Sequence, residues 1–186
     1  MSPFPRIHAF LCLVIGTSLV GSLFSVPEKD LLFTAKQLRF DDFFAKPNGK
    51  PTTGKVAGNS FAEYRVGKMT VRFTEAKFSG KGEWTGYGVD GGSPDRILSS
   101  LKIWTPSGNF ALPEKMVTDL GSPNIEHCRT RLQGKQLDLA MVNSDGSGGP
   151  FVLYQIDLAK AKTRRFVREV INDEFTRTHD WIPLMK

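Results

Sequence analysis

Apolar residues in this chain recur at every second position in short runs broken by Gly, Pro, Asn and Asp, a spacing that suits strands and turns far better than helices. The plainest case is Leu137, Leu139 and Met141, which the segment NSDGSGGP joins to Val152, Tyr154, Ile156 and Leu158 as a long hairpin. The same reading places strands at 37–43, 61–66, 69–78, 82–89, 97–105, 109–112, 129–132, 136–142, 151–158 and 163–171. Within 69–78 the apolar set runs Met69, Val71, Phe73 and then changes phase to Ala76 and Phe78, which predicts a bulge near Thr74 and Glu75. Trp104 to Phe110 reads as a hairpin whose turn torsions come from Pro106 and Gly108. One short helix is expected at 113–120, with Pro113 in the first helical position, Glu114 at the positive end of the dipole, and Gly121 and Pro123 as the stop. Residues 46–58 lack periodicity and read as a flexible loop.

The expected fold is therefore all-β: a single antiparallel β-sandwich or partly open barrel with one short helix. The alternative is α+β with a C-terminal helix at 166–175, because Val167, Val170, Ile171 and Phe175 also fit a helical face. Arg6 and His8 followed by the uncharged run from Ala9 to Val26 read as an export signal covering residues 1–25. Residues 26–186 then form one β-rich domain, exported to the periplasm or the cell exterior. No later stretch is apolar and long enough to span a bilayer. Loss of Arg6, the one formally charged residue of the leader, takes the net charge from +6 to +5, too mild an excess to mark a nucleic-acid binder. Cys12 leaves with the leader and Cys128 stays alone, so no internal disulfide is expected and the core must come from apolar side chains, the 14 Phe and 3 Trp of the full chain among them.

Motifs that would announce catalysis fail on inspection. Gly49 to Lys55 has phosphate-loop spacing, but Val56 stands where Ser or Thr must hold magnesium, and no helix follows. Gly86, Gly88 and Gly91 match a dinucleotide fingerprint by letter, yet Gly92-Ser93-Pro94 starts no crossover helix. His127 and Cys128 are adjacent and would face opposite sides of an extended segment, with Glu126 sharing the cysteine's face, so Cys128 reads as a buried structural thiol. His127, His179 and one Cys make no zinc signature, and the turn Asn143 to Ser147 lacks the acids of a calcium loop. No cofactor, nucleotide or metal is implied. Adjacent acids such as Asp41-Asp42 and Asp173-Glu174 diverge on a strand, leaving pairs from separate loops, such as Asp90 with Asp95, as the route to a hydrolase.

Two constellations point instead to binding. Trp84 and Tyr87 sit in a glycine-rich stretch that can present flat aromatic faces to a glycan. Lys160, Lys162, Arg164 and Arg168 are evenly spaced, which sets four bases on one face of an extended segment for an anionic cell-envelope polymer.

Leu112-Pro113, Asp119-Leu120-Gly121, Pro123, the turn Ser144 to Gly149 with Tyr154 after it, and Arg165 with Arg168-Glu169 form a pattern across roughly 98–169. In it the chain resembles a loosely defined set of uncharacterised exported bacterial proteins with a β-rich domain. The resemblance implies turn chemistry and fold only; no activity, cofactor or site comes with it. The functional expectation is a non-enzymatic ligand-binding or scaffold domain, with an extracytoplasmic hydrolase using carboxylates from separate loops as the alternative.

Overall fold

The computed structural model describes residues 31–45, 49–80, 83–89, 92–143, 149–169 and 174–186. The expected leader, Asp90, Gly91, the turn at 144–148 and residues 170–173 lie outside the described residues. Two antiparallel sheets are built almost wholly from sequence-adjacent hairpins. One has five strands in the order β2 (Thr52–Val56), β3 (Asn59–Val66), β4 (Met69–Lys77), β5 (Arg96–Thr105) and β6 (Gly108–Ala111). The other has six: β1 (Leu32–Thr34), β11 (Glu174–Pro183), β10 (Lys162–Arg168), β9 (Phe151–Asp157), β8 (Gln136–Val142) and β7 (Arg129–Gln133). This is the all-β sandwich that the alternation implies, and of the stretch where the alternative fold would have had a helix, 166–168 belong to β10 and 174–175 to β11.

Inward-facing residues of both sheets form one core, with Ala62, Val71, Phe73, Leu101 and Ile103 against Leu137, Leu139, Val152, Tyr154 and Ile156. A second cluster lies on the outer face of the six-stranded sheet. There Leu38, Phe40 and Phe43, on the segment that contains the single helical turn α1 (Asp42–Ala45), cover Ala140, Leu153, Phe166 and Phe175. The result is three layers, the outermost made of aromatic edges: Phe40 meets Phe175 and Phe151 with centroids 4.7 and 5.4 Å apart. The two sheets are also linked at their margins, where Ala111 of β6 exchanges backbone hydrogen bonds with Met185 (2.8 and 2.9 Å), so the sandwich is partly closed.

Several details differ from the expected elements. Residues 37–43 turn and enter α1 instead of forming a strand, because the apolar side chains there fold back onto the outer aromatic cluster. Part of the expected loop at 46–58 is strand β2, joined to β3 by the two-residue turn Ala57-Gly58, both at positive φ (50° and 81°). The expected helix at 113–120 is only a 3-10 turn, Glu114–Met116, followed by turns. Residues 83–89 do not form a strand. Gly86 and Gly88 let that segment approach the 119–121 backbone so closely that a Cβ would collide with the carbonyl oxygens of Asp119 and Gly121 respectively. The bulge at Thr74/Glu75 is present, and its register shows the extra residue, Ser99, on β5, which explains the spacing Leu98, Leu101, Ile103.

The second 3-10 turn, Ile125–His127, is tied to the five-stranded sheet by one buried hydroxyl. Tyr64 Oη donates to the Ile125 carbonyl (2.8 Å) and accepts the Cys128 N–H (3.1 Å). Tyr64→Phe keeps the ring and strands both backbone groups, so we expect a loss of about 1–3 kcal/mol in urea denaturation; an unchanged midpoint would mean that water reaches this joint.

Candidate functional site

Alternation along β10 sends its odd residues inward and its even residues outward, so one strand supplies both a fully buried charge and most of the expected row of bases. Arg165 is 1% exposed. Its guanidinium makes a two-point contact with the Asp119 carboxylate (Nη2 to Oδ2 2.7 Å), and Nη1 also donates to the Met116 carbonyl at 2.9 Å. Nε donates to Thr178 Oγ1 (2.8 Å), and Tyr154 Oη donates to the same Met116 carbonyl (2.7 Å). Burial works against the Arg165 charge, but the hydrogen bonds to Asp119 and the neighbouring Tyr154 outweigh it and hold the guanidinium's pKa above its usual value. Burial likewise pushes the Tyr154 phenol up and His179 down, the latter reinforced by Arg165. Tyr87 completes the node. Its N–H donates to the Asp119 carbonyl, its carbonyl accepts from the Gly121 N–H (both 2.8 Å), and its ring faces Arg165 at 5.7 Å. Of the residues in the resemblance pattern, Asp119, Gly121, Tyr154 and Arg165 meet here, in a structural joint between the 3-10 turn Glu114–Met116 and the six-stranded sheet.

The outward face of β10 carries Lys162, Arg164 and Arg168, while Lys160 sits in the preceding turn and pairs with Asp157 (3.2 Å). Arg164 is half-buried. Its guanidinium lies over the rings of Trp181 (4.6 Å) and Phe166 (5.1 Å), and Nε donates to Gln155 Oε1 (2.8 Å). Burial, with the nearby charge of Arg177, lowers its pKa, although Asp180 works in the opposite direction. Arg168 stacks over Phe151, Phe175 and Phe40 at 4.5, 5.3 and 5.4 Å. Neither has a carboxylate within ion-pair distance among the described residues, whereas Arg39, Arg72, Arg96, Arg131, Arg165 and Arg177 each have at least one. Across the strands, Arg131, Asp138, Gln155 and Arg164 occupy one lateral row, in which Asp138, 1% exposed, is satisfied by Arg131 and Gln136.

The other sequence-derived residues are placed as follows. Trp84 is half-buried with its ring edge-on to Phe78 at 5.2 Å, and Tyr87 is held in the Arg165 node, so the two rings belong to different contacts. Cys128 is fully buried, its thiol pushed up by that burial; its neighbours are Tyr64 and Arg129, and Glu126 is turned out with His127. Asp95 is exposed. A cleft of about 410 Å³ opens between β2, β3 and the 3-10 turn Ile125–His127. It is lined by Lys55, Ser60, Glu75, Glu126 and His127, and Glu75 is already held by Arg96 at 2.6 Å. Sequence reasoning missed Trp181 and Arg177. The even spacing of bases on β10 was the signal for that face, but the irregular β11 hid its aromatic half.

No family model matches the chain, and no curated protein and no solved structure is significantly similar to it.

Breaking the buried pair should be costlier from one side than from the other. Asp119→Ala strands a guanidinium that water cannot reach, and we expect a loss of about 3 kcal/mol in urea denaturation. Arg165→Met should cost less, because the Asp119 side chain is 34% exposed and can be hydrated once alone; the reverse order would show that Asp119, not Arg165, is the desolvated partner. His179 adds a pH term. Its folded pKa lies below the ordinary 6.5, so the unfolded chain binds the proton first and stability falls as pH drops through about 6.5. His179→Gln should lose less stability than the parent between pH 7 and 5, and equal losses would remove His179 as a cause.

Proposed function

We propose that the chain is an exported, non-enzymatic domain that binds an anionic cell-envelope polymer, such as an acidic glycan, through the outward face of β10. The observation that supports this reading is the state of Arg164 and Arg168. Both are fixed over aromatic rings, and neither makes an ion pair with a carboxylate among the described residues, Asp180 acting on Arg164 only from farther off. A guanidinium partly stripped of water and without a direct ion pair gains more from an incoming phosphate, sulfate or carboxylate than a free-swinging lysine does, because its geometry is set before binding. Lys162, exposed on the same face, extends the positive row, and Trp181 offers a flat neighbour for a sugar ring. Export is part of the proposal and is tested by the mass of the mature N-terminus.

A second reading, an extracytoplasmic hydrolase, draws on one observation: Glu75 and Glu126 come from separate elements and line the same cleft as His127. Because Arg96 already holds Glu75, Glu126 is the open acid of that pair.

Binding to heparin is the discriminating measurement. Three phosphate- or sulfate-type contacts predict that affinity falls about tenfold or more between roughly 50 and 200 mM salt. Arg164→Ala with Arg168→Ala should abolish it, and Lys162→Ala should weaken it without affecting the melting temperature. Binding that ignores salt and disappears in Trp84→Ala would move the ligand to Trp84 and Tyr87. Turnover of a glycoside or ester panel that is lost in Glu126→Gln would replace binding by hydrolysis.

A further inference from the structure

A second cleft, of about 320 Å³, opens at the end of the sandwich where the hairpin turns β3–β4, β5–β6, β7–β8 and β9–β10 come together. Turn clusters are ordinarily polar, because chain reversals leave backbone groups that need water. This one has an apolar floor continuous with the core: Met69 is buried in the main cluster, and Phe110 and Leu158 pack against that cluster half-buried. Leu132 stands at the rim 41% exposed, among the few large apolar side chains left to solvent among the described residues.

The rim is basic. Lys68 and Lys135 line the cleft, and neither amine has an ion-pair or hydrogen-bond partner among the described residues. The neighbouring acid, Asp157, is already occupied by the Lys160 amine and by the Ala159 and Lys160 N–H groups. An apolar slot with two uncompensated cations at its mouth is complementary to a molecule with an apolar tail and a negative head. A cleft of this size has room for a chain of medium length and not for a whole bilayer lipid. Lysine suits the mouth, since its methylene stem lies along apolar surface while the amine stays hydrated.

We propose that the turn end of the sandwich is a binding site for a single-chain anionic amphiphile, the chain seated among Leu132, Phe110 and Leu158 and the head held by Lys68 and Lys135. The site does not include Arg164 or Arg168, so it stands whether or not β10 binds a polymer.

Isothermal titration of the full chain with sub-micellar decanoate, decyl maltoside and decyltrimethylammonium tests it. Decanoate should bind saturably at one site, the neutral amphiphile about fivefold more weakly, and the cation more weakly still. Lys68→Gln with Lys135→Gln should bring decanoate down to the level of decyl maltoside, and Leu132→Glu should remove both. Each of these positions is exposed, so the variants should melt as the parent does. Arg164→Ala with Arg168→Ala should leave decanoate affinity unchanged. The proposal is overturned if decanoate shows no saturable binding, if the three head groups bind alike, if Leu132→Glu binds as the parent does, or if the β10 double variant is the one that loses decanoate.

Discussion

Arg165 carries a full charge between two sheets, and the arrangement of the neighbouring loops follows from satisfying it. A guanidinium at that depth costs several kcal/mol unless its donors are met, and here they are met by Asp119, the Met116 carbonyl and Thr178. Those partners come from the loop after β6 and from β11, so the pair fixes two connections that the apolar core alone would leave loose. Tyr87 then ties a third segment to Asp119 and Gly121 through its backbone. Polar groups of this kind add direction to a core that is otherwise held by non-directional burial.

Most of the sheet framework is legible in the sequence because hairpins leave local signals. Leu137, Leu139 and Met141 against Val152, Tyr154 and Ile156 is a period-2 pattern on both arms, and Met141 does pair with Val152 and Leu139 with Tyr154. Strand β11 is a different matter. Its register against β10 slips twice, between Thr163 and Arg165 and between Arg165 and Phe166, which inserts extra residues around Thr178 and Asp180. Two bulges erase alternation from the letters while turning Thr178 toward Arg165 and Trp181 toward Arg164. Strand β2 was hidden for another reason: Ala57 takes a positive φ that its identity does not advertise, so the turn looked like loop.

The candidate binding face shows the same division. Even spacing of Lys160, Lys162, Arg164 and Arg168 put four bases on one face; the structure has the last three on β10 and Lys160 in the turn before it. Spacing could not show that two of them are stacked on rings from β9, β11 and the N-terminal segment, since those partners are remote in sequence. Nor could it show that the glycines at 86 and 88 serve close backbone approach, because letter patterns carry no information about which chain passes nearby. Physical contact supplied what the motif lacked.

The pairing of β1 with β11 has a bearing on the order in which this chain acquires its structure. Leu32 lies opposite Thr176, and Phe33 opposite Phe175, so the edge of the six-stranded sheet joins residues nearly a whole chain apart, whereas most other pairings close within a hairpin. Closing so long a loop has an entropic cost that short reversals avoid, and it returns contacts only after both ends exist. The five-stranded meander can therefore assemble as its strands emerge, while the aromatic outer layer waits for the last strand to provide Phe175. Until then Phe166, Leu153 and Ala140 lack part of the apolar cluster that buries them. On that order the aromatic outer layer would be completed last, and in that interval the growing chain would be most exposed to sticking to its neighbours.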